Sequence, residues 1–256
     1  MQARFNELYK SLNIMDEGGK GLPLISSCNN RNHCWEKAVK RESNYSIYYP
    51  WIGAKYDKFK ILVIGENMND YGDINAAYKL IENAKIEINK GKRRLFISKN
   101  YKGTLLFHRV GSYVLAMTNS SDLKNVIEKN KYPSYSNVSE SFDYIAYTNH
   151  VKCSPKGKRS EQTKEMWEYC GSHILKEEIR IINPEIVIIL GTSDNYNYIS
   201  TKVFEKIKIS STVGKCKSGE GSLDGKMIKI FVLPHPASWG GIKYKIFRDF
   251  YDLINN

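Results

Sequence analysis

Three short stretches carry side chains able to act on a polar substrate. Gly65-Glu66-Asn67-Met68-Asn69-Asp70-Tyr71 puts two carboxylates and two amides in a turn that leaves an apolar run. Such a turn can position water or stabilise positive charge; it can equally be a strand-to-helix turn in which Asn67 or Asp70 caps the next helix. Leu233-Pro234-His235-Pro236-Ala237-Ser238 sets a histidine between two prolines, whose fixed φ stiffens the loop. A rigidly held imidazole suits hydrogen bonding to a developing negative charge, and a solvent-exposed loop histidine would read the same way. In Tyr147-Thr148-Asn149-His150-Val151-Lys152-Cys153-Ser154-Pro155, the amide of Asn149 offers both a donor and an acceptor to a base edge, or is satisfied by backbone.

Each stretch lies at the end of an apolar, β-branched run. Residues 60–66, 143–152, 184–191 and 227–235 predict buried strands. Apolar positions at helical spacing predict helices over about 74–89, 104–128, 162–182, 194–207 and 243–254. The alternation predicts a single-domain α/β three-layer sandwich, with a central, mostly parallel four-stranded sheet flanked by helices. In such sheets ligands bind outside the carboxyl ends of the strands. Those ends are 65–67, 149–153, 191–194 and 235–238. The Gly-, Ser- and Lys-rich stretch 210–226 is expected to be a mobile surface loop or hairpin before the last strand. Residues 1–59, with the aromatic cluster Tyr45, Tyr48, Tyr49 and Trp51, read as an extension packed on a core domain of 60–256.

The chain has 256 residues, 41% of them hydrophobic, and no apolar run near the roughly 18 residues that span a bilayer. No membrane partner is expected. The start MQARFNELYK is too polar for a signal peptide. The expected location is the cytoplasm, where five cysteines are more readily thiols or metal ligands than disulfides. A net charge of +12, from 39 Lys and Arg against 27 Asp and Glu, favours nucleic acid as a partner. A Lys-rich composition bias would give the same sum. Neither a Walker A loop nor a dinucleotide-binding glycine fingerprint is present, which counts against a generic nucleotide-binding protein.

The order of these motifs resembles the uracil-DNA glycosylase superfamily, most closely its iron–sulfur-containing branch, family 4, over roughly 28–250. The resemblance rests on a cysteine pair before the first strand, the Gly65-Glu66 turn and Thr148-Asn149-His150-Val151-Lys152-Cys153-Ser154-Pro155. It continues through Cys170 on the next helix, Pro184-Glu185-Ile186-Val187-Ile188-Ile189-Leu190-Gly191 and the His235 loop. It implies that Cys28, Cys34, Cys153 and Cys170 hold a [4Fe–4S] cluster, with Cys216 a spare thiol in the mobile loop. The first pair is spaced Cys-x5-Cys where the family has Cys-x2-Cys, so zinc at the same cysteines, His33 in place of one of them, or no metal stay open.

The resemblance also implies DNA glycosylase activity, in which a base is flipped from single- or double-stranded DNA into a pocket at the strand ends and its N-glycosidic bond is hydrolysed. By it, Phe107, in Leu106-Phe107-His108-Arg109-Val110-Gly111, would stack on the base, although a core role for that ring is equally compatible. Asn149 would read the base edge and His235 would stabilise the leaving base. Glu66 and Asn67, with the weight on Asn67, would position water and stabilise the sugar cation. Met68 and Asn69 stand where the family turn has Pro-Gly, so the pocket wall near Asn69, a base-binding candidate, is rebuilt. That opens three readings: uracil or another modified pyrimidine, a bulky phage-type base such as glucosylated 5-hydroxymethylcytosine with a role in antiviral defence, or an inactive DNA-binding relative. No lysine is placed as a Schiff-base nucleophile, so a monofunctional enzyme leaving an abasic site is expected. Lys156, Lys158, Arg159, Lys215, Lys217, Lys243 and Lys245 are the expected phosphate contacts of a monomer.

Overall fold

The computed structural model describes residues 1–12, 28, 30, 33–34, 49–67, 76–90, 95–98, 101–103, 106–129, 133–152, 162–236 and 244–255; of Asn67 it describes the backbone alone. In chain order come helix α1 (Gln2–Ser11), strands β1 (Trp51–Ile52) and β2 (Ile61–Asn67), helix α2 (Ala76–Asn89) and the β3 (Leu95–Ser98) and β4 (Tyr101–Gly103) pair. Helices α3 (Leu106–Thr118), α4 (Ser120–Glu128) and α5 (Tyr135–Ser141) lead to β5 (Ile145–Val151). Helix α6 (Lys164–Tyr169) passes through a π-helical turn at Cys170–Leu175 into α7 (Lys176–Ile182). Then follow β6 (Ile186–Leu190), α8 (Asp194–Lys202), β7 (Lys206–Val213), β8 (Cys216–Leu223), β9 (Lys226–Leu233) and α9 (Tyr244–Asn255).

Among the described residues, one seven-stranded sheet has the order β1-β5-β2-β6-β9-β8-β7. The expected four-stranded, mostly parallel sheet is corrected to this larger, mixed one. Its middle, β5-β2-β6-β9, is parallel; β1 is antiparallel to β5, and β8 and β7 continue antiparallel from β9. The parallel strands are apolar on both faces, as strands covered on both sides must be. Leu62, Ile64, Val187, Ile189, Ile230 and Val232 pack on one side with α1, α6, α7 and α8. Ile61, Val63, Ile188, Leu190, Phe231 and Leu233 pack on the other with α2, α3, α4 and α9.

Of the two readings of 210–226, mobile loop or hairpin, the structure shows the hairpin: β7 and β8 pair antiparallel through a turn at 214–215, and β8 pairs on with β9. Ile207 and Ile209 alternate with exposed Lys206 and Lys208, a period-2 pattern that Ser and Gly obscure farther along. The helix expected to run to 207 accordingly ends at Lys202, and the one expected over 104–128 is divided at Asn119. Near the amino terminus α1 buries Phe5 and Tyr9, one turn apart, against the core. No helix among the described residues is long and apolar enough to cross a membrane.

Candidate functional site

The parallel register brings the expected residues to one edge of the sheet. Gly65 of β2 pairs with Asn149 of β5. Next to β2, β6 ends at Gly191, whose N–H donates to the Leu233 carbonyl at 2.7 Å, so the ends of β6 and β9 are tied together. His235 follows β9 by two residues. Glu66, Asn149 and His235 thus come from the carboxyl ends of three parallel strands, where doubly wound sheets bind ligands.

Two glycines make room for the polar groups. A Cβ on Gly65 would lie 2.3 Å from Asn149 Oδ1 and 2.6 Å from the Tyr147 hydroxyl. Gly191 has φ +116°, and a Cβ there would stand 2.7 Å from Glu66 Oε1. Asn149 and Tyr147 are therefore packed directly over β2, and Glu66 over the end of β6. Gly65→Ala should displace the Asn149 amide, with an overpacking cost of roughly 1–3 kcal/mol. A thermal melt beside an activity assay checks this, and wild-type behaviour in both would refute the packing.

Glu66 is half-buried, and burial, followed by the nearby charge of Asp194, raises its carboxyl pKa above the usual value. Burial lowers the His235 pKa to about 4, which makes its imidazole neutral at physiological pH. Arg109 of α3 donates through Nη1 to the Pro236 carbonyl and so ties the histidine loop to that helix. Beneath the site, His150 is fully buried: its Nε2–H donates to the Trp167 carbonyl at 2.9 Å, and its Nδ1 lies 3.0 Å from the Asn195 amide oxygen. Asn195 donates in turn to the Leu190 carbonyl at 2.7 Å, bracing the end of β6.

Other expected residues are placed differently. Phe107 is 1% exposed and packs in the core, its ring 6.1 Å from both Phe142 and Tyr147. Its ring packs beside that of Tyr147, the core placement weighed for it alongside stacking on a base. Lys215 is exposed in the β7–β8 turn, and Lys217 lies over the Tyr196 ring at 5.4 Å, both at the end of the sheet that carries His235. Lys245 pairs with Asp249 at 2.9 Å, which engages its charge within α9. Asn69, Lys156, Lys158, Arg159, Lys243 and Cys153 lie outside the described residues. Tyr147 and Arg109 were not singled out by sequence. Their only signals were a phenol two residues before Asn149 on one strand face and a cation two residues after Phe107.

Cys216, expected in a mobile loop, is buried in β8, and burial followed by Asp249 raises its thiol pKa to about 12. Cys28, Cys34 and Cys170 are free thiols. Burial and then Cys170, with a smaller contribution from Cys28, raise the Cys34 pKa to about 12, against a lowering hydrogen bond from Asn30. The Tyr169 pKa is raised by burial and then by Cys28, Cys170 and Cys34. Among the described residues no set of three or more His, Cys, Asp and Glu side chains is arranged to hold a metal ion. Cys34 and Cys170 belong to one core cluster, with Cys28 packed against it. His33, the alternative ligand, is exposed.

Residues 55–256 match the family model of the uracil DNA glycosylase superfamily, and the chain belongs to that superfamily. Membership supports a DNA glycosylase in general. No curated protein matches the chain.

Proposed function

We propose that this protein is a monofunctional DNA glycosylase that flips uracil or a modified pyrimidine out of DNA and hydrolyses its N-glycosidic bond, leaving an abasic site. The observation that carries this reading is the convergence of Asn149, Glu66 and His235 at the carboxyl edge of the parallel strands in a member of this superfamily. The chemistry needs charge stabilisation on both sides of the breaking bond, because the sugar becomes cationic as the base departs with negative charge. Neutral His235 donates a hydrogen bond to the departing base. Ionised Glu66 faces the developing sugar cation and, with Asn67, orients the attacking water. Asn149 reads the edge of the flipped base, and Lys215 and Lys217 hold phosphates at the same rim.

By resemblance to the iron–sulfur branch of the superfamily, Cys28, Cys34 and Cys170, in or packed against one core cluster, would with Cys153 supply the four thiolates that a [4Fe–4S] cluster takes. Such a cluster would cross-link the segment around Cys28 and Cys34 to the π-helical turn at Cys170.

The test is release of free base from duplex and single-stranded DNAs containing uracil, hypoxanthine, mismatched thymine, 5-hydroxymethylcytosine or its glucosylated form. Abasic sites from a pyrimidine substrate, without strand cleavage until heat or base is added, are the expected result. Intact DNA in every case, with binding preserved, would overturn the reading in favour of an inactive binding protein.

A further inference from the structure

Arg109 is a charged side chain that the fold leaves without a counter-ion beside the histidine loop. It is the fourth residue of α3, and the first turn of that helix carries no acidic residue. The amino end of a helix is the positive pole of its peptide dipoles, and helical side chains lean back toward it, so like charge is added to like. Arg180 and Arg248 are each paired with a carboxylate. Among the described residues Arg109 has no such partner: Nη1 donates to the Pro236 carbonyl, and the buried Nε–H meets no acceptor. Holding a carbonyl needs one donor and no charge, whereas a guanidinium stays ionised and offers five N–H groups in a planar fork. An ionised group with a buried N–H left over is costly unless an anion completes it.

We propose that Arg109 binds a backbone phosphate of the DNA next to the flipped nucleotide. This inference rests on the glycosylase reading. Strand β9 ends at Leu233 and Pro236 directly follows His235, so the guanidinium stands where the loop leads away from the strand ends. A base inserted between those ends brings its sugar and the two flanking phosphates to the same rim. The fork of a guanidinium matches two phosphate oxygens, and the positive end of α3 adds to the attraction. Nη1 stays on Pro236 while Nε–H gains the acceptor it lacks, so seating the phosphate leaves the His235 loop tied. Arg109 is half-buried, so its charge is screened less by salt than that of exposed Lys215.

The test measures binding to a duplex carrying one tetrahydrofuran abasic-site analogue, a product mimic that requires no knowledge of the base removed. In otherwise identical duplexes the phosphate on the 5′ side of the site, the one on its 3′ side, or neither is replaced by an uncharged methylphosphonate. Wild-type affinity should fall roughly tenfold or more with one of the two replacements, the scale of a hydrogen-bonded charge. Arg109→Gln should weaken binding to the unmodified duplex by a similar factor, lower the slope of log K against log salt by about 1, and be indifferent to that same replacement. A variant that merely slackens the His235 loop would lose affinity for every duplex alike and keep the wild-type response to the methylphosphonate. That additive result, or wild-type affinity in Arg109→Gln, overturns the proposal and leaves the glycosylase reading intact. Absence of binding to this DNA overturns it too, and the base-release panel then decides the glycosylase reading separately.

Discussion

Glu178→Leu is expected to unfold roughly 6–20 °C below the wild type in a thermal melt, the consequence of stranding a buried lysine. Lys152 and Glu178, 3% and 0% exposed, form an ion pair between the end of β5 and α7. The lysine also donates to the Thr148 hydroxyl at 2.6 Å, Thr148 donates to Glu178 Oε2 at 2.8 Å, and the Tyr9 hydroxyl donates to Glu178 Oε1 at 2.6 Å. Each carboxylate oxygen is thus satisfied, which is what makes a buried charge tolerable. Removing one partner of such a pair costs about 3–5 kcal/mol, and at about 2–4 °C per kcal/mol for a chain of this size the midpoint falls by the range given. The double variant Lys152→Met, Glu178→Leu should recover most of the loss, since no charge is then left buried. Tyr9→Phe should cost only about 1 kcal/mol. A Glu178→Leu midpoint within 2–3 °C of wild type, on the order of 1 kcal/mol, would mean that water reaches this pair in solution.

That network also shows where sequence reading stops. The four central strands were legible because each is a β-branched run bounded by turn residues, and the order of motifs was enough to set Glu66, Asn149 and His235 at their carboxyl ends. Strands β7 and β8 were legible only as one of two readings, hairpin or mobile loop, because Ser, Gly and Lys dominate 210–222 and conceal an alternation that Ile207 and Ile209 begin. Lys152 gave no sign of burial, since lysine is almost always exposed and its partner Glu178 is 26 residues away on α7. Phe107 could be named but not assigned: an aromatic at helical spacing serves a core or a pocket equally well, and only the structure sets Phe142 and Tyr147 beside it. Arg109 acts through a contact to the Pro236 carbonyl, 127 residues along the chain, that follows from tertiary packing, and spacing along the chain does not encode it.

His235→Ala should lower kcat for base release by about 10²–10³-fold, the scale seen when one preorganised donor to a developing anion is removed. The loop is built for such a donor: prolines flank the histidine, and Arg109 holds the Pro236 carbonyl. The pH profile separates this role from acid catalysis by an imidazolium. Burial lowers the His235 pKa to about 4, so the ring is neutral from alkaline pH down to that value, and no loss or gain of rate is expected on crossing 6.5. The acid limb belongs to Glu66, whose carboxylate must be ionised to face a sugar cation. Its pKa is raised by burial and Asp194, so the rate should fall with decreasing pH through a midpoint above 4.5, and Glu66→Gln should remove that limb while lowering the plateau. In His235→Ala the limb should persist unchanged beneath the reduced rate, because the two groups titrate independently. An inflection near 6.5 that vanishes in His235→Ala would instead show a histidine that works protonated, and the departing base would then be receiving a proton rather than a hydrogen bond.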